Sequence, residues 1–238
     1  MNTPAHNFSI SEMSPEELHR AIHALPAGDD ETELTEVTVN NLAGQHAALM
    51  RIDHPLRIEA NGPLGDYAFA HHAQATVIMN GDAGAGLGEG MQSGILRVRG
   101  NAGVGAGTGM KGGTLAVYGH AGHRCGAAMR GGEIFVRGDV GEHAGIGALN
   151  GTIVIGGNAG PFLGNATSDV TIFIRGEAAS LVDGVTESPL RKREELRLGL
   201  LLINASIRGD ASEFRRIVPI AKLAAEQARQ GEIVPNWR

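Results

Sequence analysis

The middle of the chain alternates apolar and polar residues in short runs that return at a constant spacing. In each run the residues two and four positions before a glycine are apolar, as Val98 and Leu96 are before Gly100. The residue directly before the glycine is mostly polar, which is the alternation of a β-strand with one buried face. The glycine recurs every 19 residues, at Gly62, Gly81, Gly100, Gly119, Gly138, Gly157 and Gly176. The pattern predicts one short strand in each repeat.

Stacking of these repeats predicts the fold class. A single strand cannot bury its inner face, whereas identical turns stacked about 4.8 Å apart join their apolar columns into one core. Residues 55–186 are therefore predicted to form an all-β core, a right-handed parallel β-helix that is a single-stranded solenoid of about seven turns. A doubly wound α/β fold is disfavoured, because the 14 glycine-rich residues between successive strands leave no room for a crossover helix.

Residues 1–54 are predicted to form a short N-terminal helix and a capping segment. Ser14, Pro15 and Glu17 match the signature of a helix N-terminus, and apolar residues follow at helical spacing, so a helix is expected over residues 15–25. Residues 34–56 are expected to form an irregular strand and a degenerate first turn that covers the open end of the stack.

Residues 187–238 are predicted to form a helical tail. The leucine-rich run of residues 196–203 is typical of a helix, and Asp210 gives a second capping signal before apolar residues at helical spacing. Pro219 is expected to break or kink that second helix. The tail has too many leucines to leave exposed, so we expect it to fold over the last turn, to clamp a partner, or to do both.

Composition and charge narrow the classes of function. The chain has 36 glycines among 238 residues without a Gly-X-Y repeat, which indicates a thin aliphatic core with glycine at its corners. A net charge of −6 without long charged runs argues against nucleic-acid binding, and no apolar stretch reaches 18 residues, so no membrane span is predicted. The single cysteine and the absence of a signal core in residues 1–12 predict a cytoplasmic protein.

One group of ligand-type side chains interrupts the repeat. His120, His123 and Cys125 lie within six residues, and His143 follows one turn later. Zinc sites use such side chains, so an enzyme or ligand-binding protein that uses this group is the rival to a scaffold. The same residues also have structural explanations, since His120 falls in a polar corner column and Cys125 in a column of small residues. No catalytic, cofactor-binding or metal site is therefore assigned to this chain.

The outer face of the predicted strands carries a second candidate feature. Arg99, Arg137 and Arg175 recur on every second turn, with Tyr118 and Lys111 in the same region. They form either a charged docking face or a merely solvated one.

A histidine pair breaks the glycine pattern in the first turns. His71 and His72 lie beside Tyr67 and Phe69, and we interpret these residues as a surface or interface feature rather than a catalytic pair.

The run Gly84-Ala85-Gly86-Leu87-Gly88-Glu89-Gly90 and its later copies resemble the domain family named for its GXGXG motif. The resemblance covers roughly residues 55–185 and is strengthened by residues 88–94 and 110–113. Members include the C-terminal domain of the glutamate synthase large subunit, a free-standing subunit of N-methylglutamate synthase, and the C subunit of formylmethanofuran dehydrogenase with its formyltransferase/hydrolase counterpart. The helical tail makes this chain more similar to the free-standing N-methylglutamate synthase subunit.

The resemblance implies a scaffold whose chemistry lies in neighbouring subunits. In the glutamate synthase group the domain packs beside a glutaminase domain and an FMN-binding barrel. A free-standing chain then implies a hetero-oligomer with a glutaminase-like amidotransferase subunit and an FMN-binding synthase subunit, with FMN and an iron–sulfur cluster in a partner. The implied product is N-methylglutamate, formed from methylamine and glutamate. The alternative is the C subunit of a formylmethanofuran dehydrogenase or formyltransferase/hydrolase complex.

Overall fold

The computed structural model describes residues 5–26 and 34–231, and the predictions for residues 1–4, 27–33 and 232–238 lie outside the described residues. Within the described ranges the helices are α1 (Pro15–His23), α2 (Lys192–Asn204) and α3 (Ile220–Gly231). The strands are β1 (Ala5–Ser9), β2 (Thr35–Asn40), β3 (Leu56–Asn61), β4 (Thr76–Asn80), β5 (Ile95–Val98), β6 (Thr114–Val117), β7 (Glu133–Val136), β8 (Thr152–Ile155), β9 (Thr171–Ile174), β10 (Val185–Pro189) and β11 (Arg215–Pro219).

The strands form one sheet that confirms the predicted parallel solenoid of about seven turns. Strands β1 to β9 follow one another in parallel, and β11 and then β10 continue the sheet antiparallel to its end. In the regular turns each strand residue pairs with the residue 19 positions later, so that Leu96 pairs with Leu115 and Leu115 pairs with Ile134. The 19-residue period therefore places identical positions directly above one another.

The backbone conformation explains why the GXGXG motif has glycine at alternate positions. Gly86, Gly88 and Gly90 have φ angles of +68°, +62° and +64°, and this left-handed conformation is cheap only for glycine. Their N–H groups bond to the neighbouring turns on alternate sides, as when Gly86 donates to the Val104 carbonyl and Gly88 to the Ala68 carbonyl. Alternating left-handed residues thus let a tight curved segment share hydrogen bonds with both neighbours.

The glycine that repeats every 19 residues is required for a steric reason instead. Gly100 does not have a positive φ, but a Cβ built on it would collide with the carbonyl group of Gly81 in the preceding turn. Close stacking of backbones at the corner, rather than backbone conformation, requires glycine there.

The N-terminal end is covered by more than the predicted degenerate turn. Helix α1 begins with a capping box, in which the Ser14 N–H donates to Glu17 Oε2 at 2.8 Å and the Glu17 N–H donates to Ser14 Oγ at 3.2 Å. Leu18 and Ile22 on this helix are buried in the main core. Strand β1 pairs with β2 and becomes the edge of the sheet, so β1 and α1 cover the stack together.

The predicted second helix of the tail is wrong over residues 211–219. Asp210 does accept a hydrogen bond from the Ser212 N–H, but it begins only a short 3-10 turn, and β11 follows. The β-branched pair Ile217–Val218 fits a strand, and antiparallel pairing with β9 and β10 supplies its backbone hydrogen bonds. Helix α3 begins only after Pro219.

The tail packs against the outer face of the later turns rather than only over the last one. Helix α2 contributes Leu198, Leu201 and Leu202 to a second apolar cluster, which also contains Ala116, Phe135, Val154 and Phe173 of strands β6 to β9. Burial of this interface fixes the position of α2.

A buried ion network fixes the rest of the tail. The side chain of Arg216 on β11 is only 4% exposed and lies 3.2 Å from Glu194 of α2 and 2.9 Å from Glu226 of α3. Burial alone would raise the pKa of Glu194, but hydrogen bonds from Arg191 and the charge of Arg216 outweigh it and lower that pKa. The network joins α2, β11 and α3 into one unit.

Candidate functional site

An arginine pocket lies on the outer face of the sheet beside the C-terminal end of α2. Arg97, Arg99 and Arg137 line it together with Tyr118, and its volume is about 450 Å³. The Arg97 guanidinium donates to the Asn204 carbonyl at 3.3 Å, and the Tyr118 hydroxyl donates to the Ala205 carbonyl at 2.9 Å. These bonds to the end of α2 join the pocket to the tail.

The three guanidinium groups of the pocket have no acidic partner in the part of the chain that the structure describes. Arg99 donates to the side-chain carbonyl of Asn80 at 3.2 Å. Within the described ranges, no carboxylate oxygen lies within 4.0 Å of a guanidinium nitrogen of Arg97, Arg99 or Arg137. The pocket therefore holds concentrated positive charge on a protein whose net charge is −6, and it suits a carboxylate or another anionic group.

Two members of the predicted charged face lie elsewhere. Arg175 is 3.6 Å from the Glu213 carboxylate, donates to the Gly156 carbonyl at 2.8 Å and lies over the Phe214 ring. Lys111 is exposed in the loop before β6 and does not line the pocket. The structure thus assembles only Arg99, Tyr118 and Arg137 of the predicted set and adds Arg97.

Helix α2 also presents an apolar ridge to solvent. Leu196, Leu200 and Ile203 lie on one stripe of the helix, and their exposed fractions are 68%, 65% and 73%. The opposite stripe is the one that packs on the sheet, so α2 is apolar on two sides. A surface helix with a single core contact is apolar on one side only. The second apolar side needs a separate explanation.

The ridge and the arginine pocket form one continuous surface, which we call the α2 face. A groove of about 1410 Å³ runs along the ridge and is lined by Leu196, Leu200 and Ile203 together with the loop after the helix. Ser206 in that loop lines both the groove and the arginine pocket. Apolar area with charged groups at its edge is the usual composition of a protein–protein interface.

The histidines of the predicted ligand group serve the corners of the solenoid. His120 Nδ1 accepts a hydrogen bond from the Asp139 N–H at 3.0 Å, and His123 Nδ1 accepts one from the Glu142 N–H at 3.1 Å. The same type of bond joins Asn101 to the His120 N–H. Each such bond satisfies a backbone donor that the turning chain leaves without a backbone acceptor.

The two remaining residues of that group lie in different surroundings. Cys125 is fully buried in the core, and burial raises the pKa of its thiol to about 12. His143 has a φ of +59° and stacks on the Phe162 ring at 4.9 Å. Among the described residues, no set of three ligand atoms from His120, His123, Cys125 and His143 lies within 4.8 Å. The structure does not bring these side chains together as a metal centre.

The interpretation of the first-turn pair as a surface feature holds for only part of it. His71 and Tyr67 are exposed, but His72 and Phe69 are fully buried. His72 occupies the inner column that contains Met91 and Met110 in the next two turns, and its Nε2 bonds to the Ala75 carbonyl at 2.9 Å. Burial lowers the pKa of His72, and the bond to Ala75 only partly opposes this shift.

Sequence reasoning missed Arg97, and it predicted an apolar tail that covers the last turn or clamps a partner without separating the buried leucines from the exposed ones. The signal for the ridge was present, because α2 has leucines at more positions than one helical stripe can hold. Arg97 lies three residues before the repeating glycine, where later turns have Ala116 and Phe135. Nothing in the chain indicated that α2 ends beside it.

The fold and the α2 face define a glycine-rich parallel β-solenoid with an exposed apolar helix beside an arginine pocket. The chain is similar to Protein GlxC of Rhizobium meliloti (strain 1021), with 33% identity over 78 residues. This similarity covers 33% of the present chain and 33% of that protein. No family model matches the chain, and no solved structure matches it. Across the described residues, no helix combines the length and the apolar content that crossing a bilayer requires.

Proposed function

We propose that this chain is a non-catalytic scaffold subunit of a glutamate-synthase-like complex. The observation that carries the proposal is the α2 face, where Leu196, Leu200 and Ile203 are more than three-fifths exposed. Beside them lie three arginines that have no ion-pair partner among the described residues. An isolated protein gains nothing from such a ridge, whereas a subunit buries it against a partner. The matching partner surface presents apolar side chains and, at the position facing the arginine pocket, carboxylates.

The distribution of chemistry in the solenoid supports a scaffold. The regular positions of each turn are used for the core, for left-handed bends and for corner hydrogen bonds, as His120 and His123 show. A buried thiol whose pKa is about 12 is a poor nucleophile at neutral pH. Catalytic groups of the complex are therefore expected in its other subunits.

The resemblance of residues 55–185 to the GXGXG family suggests which complex this is. We assign the chain to the N-methylglutamate synthase type, in which it joins a glutaminase-like amidotransferase subunit to an FMN-binding synthase subunit. FMN and an iron–sulfur cluster belong to the partner. The complex forms N-methylglutamate from methylamine and glutamate and releases ammonia, so that nitrogen balances. The partial similarity to Protein GlxC is compatible with this assignment and covers too little of either chain to carry it.

Purification of the tagged chain from its native cells tests the proposal. We expect stoichiometric recovery of a glutaminase-like subunit and an FMN-binding subunit, a flavin absorption spectrum, and formation of N-methylglutamate that depends on methylamine and glutamate. A lone monomer with full activity would contradict the scaffold role. Recovery of formyl-transferring subunits instead would contradict the N-methylglutamate assignment and favour the formylmethanofuran alternative.

A matched pair of variants tests the α2 face. Leu200→Glu places a charge in the ridge, whereas Leu149→Glu places the same charge on a leucine outside the ridge that is 52% exposed. Leu200→Glu should lose partner subunits while its circular dichroism spectrum stays unchanged, and Leu149→Glu should retain them. Equal recovery of partners by both variants would exclude α2 as the docking surface.

A further inference from the structure

A second group of titratable side chains lies at the opposite end of the molecule, where α1 meets the turn before β3. His23 ends α1, and Asp53 and His54 lie just ahead of the strand that begins at Leu56. Burial of Leu18 and Ile22 fixes the helix on the core, which brings His23 to this turn. His19 is one helical turn before His23, and their ring centroids are 4.2 Å apart.

The geometry of this group matches the needs of a cation. Asp53 Oδ1 lies 3.3 Å from His54 Nδ1 and 3.8 Å from His23 Nδ1. One ligand atom from each of the three residues lies within 4.8 Å of the others. Zinc bonds of roughly 2.0–2.2 Å in tetrahedral geometry place ligand atoms somewhat over 3 Å apart. Small side-chain rotations are therefore sufficient to close the site around one ion.

Hydrogen bonding within the protein leaves this group incompletely satisfied. The contact of 3.8 Å from His23 to Asp53 is too long for a hydrogen bond. The ring atoms of His23 and His54 that face Asp53 are the Nδ1 atoms, and the Nε2 atoms of the same rings are buried without a hydrogen-bond partner among the described residues. Asp53 Oδ1 does share a hydrogen bond with His54 Nδ1 at 3.3 Å, whereas a cation held by all three side chains would also engage His23, which that bond leaves out.

We propose that His23, Asp53 and His54 bind a divalent transition-metal ion of the zinc type. Two imidazoles and one carboxylate suit zinc, whereas calcium and magnesium prefer oxygen ligands alone. His19 lies beside His23 but is not among the three side chains whose ligand atoms converge, so a water molecule would be the fourth ligand. The ion would join α1 to the first turns and so hold the cover on the N-terminal end of the solenoid.

Titration of the purified full chain with Co²⁺ tests this proposal, because cobalt reports its geometry by visible absorption. We expect one ion per chain, an absorption band of the intensity typical of four-coordinate cobalt, displacement by Zn²⁺, and a higher melting temperature with Zn²⁺. Asp53→Asn and His23→Gln should each weaken binding at least about tenfold and abolish the rise in melting temperature. Asp53 is largely exposed, so its variant is expected to fold.

A control variant separates this site from incidental binding by the other histidines. His123→Gln removes an exposed imidazole from a distant corner and keeps a hydrogen-bond acceptor there. It should bind cobalt like the unmodified chain. The proposal is overturned if the chain binds no cobalt at one to one, if Asp53→Asn and His23→Gln bind it unchanged, or if His123→Gln weakens binding as much as they do.

Discussion

The first and second halves of the solenoid use the same outward position in opposite ways. Three residues before the repeating glycine, the early turns carry Glu59, Ile78 and Arg97, which remain partly or fully exposed. At that position the later turns carry Ala116, Phe135, Val154 and Phe173, all buried under the tail. The comparison shows that the winding of a solenoid turn does not depend on which side chain occupies this outward position. The side chain at this position decides whether the tail can pack on that turn.

The strongest test of this comparison removes an aromatic ring from the covered half. Phe135→Ala should lower the free energy of unfolding by about 3–5 kcal/mol, because it leaves a cavity between the sheet and α2. Glu59→Ala, at the equivalent position of an early turn, should change it by about 0.5 kcal/mol at most. Urea unfolding measures both values. Similar losses for the two variants would mean that the covering tail contributes little.

A second test breaks the ion network that holds the tail. Arg216→Met leaves Glu194 and Glu226 close together without their buried cation, so unfolding should become easier by about 3–5 kcal/mol. The exposed Arg208→Met is the control, and we expect almost no change from it. If the two substitutions have equal effects in urea, the network does not stabilise the tail.

The inner column also differs between the halves, since it contains His72 early and methionines in the following turns. Because burial lowers the pKa of His72, the folded protein keeps it neutral below pH 6.5, whereas the unfolded chain takes up a proton there. Stability should therefore fall as pH drops below about 6.5, by up to about 1.4 kcal/mol per pH unit from this group.

Replacement with the neighbouring residue type isolates that effect. His72→Met should be increasingly more stable than the parent chain as pH falls from 7 to 5, as measured by urea unfolding at each pH. His19, whose pKa is lowered first by burial and also by His23 and Arg51, is present in both proteins and cancels from the difference. A difference that does not vary with pH would contradict a neutral buried His72. The exposed His71→Asn serves as control.

The smallest expected effect concerns the bond that joins the turn of β6, the first of the later turns, to the end of α2. Tyr118→Phe removes the hydroxyl that donates to the Ala205 carbonyl and should cost about 0.5–1.5 kcal/mol. Tyr67→Phe alters the other tyrosine of the chain, which is half exposed, and should be neutral. Hydrogen exchange at the last turn of α2 should increase only in the Tyr118 variant. No increase there would show that the bond does not hold the helix end.

Much of the fold was predictable because equivalent positions of successive repeats pair with each other in the sheet. The apolar columns of Leu96 and Val98 and the N-terminal cap at Ser14 each follow from local spacing, and the structure confirms them. The segment around Ile217 was not predictable in this way. Its apolar spacing suits a helix, yet the free edge of β9 offered hydrogen bonds that only a strand can use.

The candidate site was predictable only in parts. Arg99, Tyr118 and Arg137 shared a column and therefore a face, but Arg175 shared the same column and instead pairs with Glu213. Its pairing depends on a residue 38 positions away in a tail whose placement the repeat does not encode. His71 and His72 were interpreted together as a surface feature, but only His71 is exposed. Successive residues of a tight turn face opposite ways, which places His72 in the core.

By itself, the sequence determined the 19-residue winding, the inner columns and the bends, because each of these depends on side chains within one repeat and its copy in the next. Tertiary structure alone decided which outer face the tail covers, which face of α2 stays exposed, and which distant charges meet. Those outcomes depend on contacts between segments far apart in the chain, where the free energy of burial and pairing outweighs local preference.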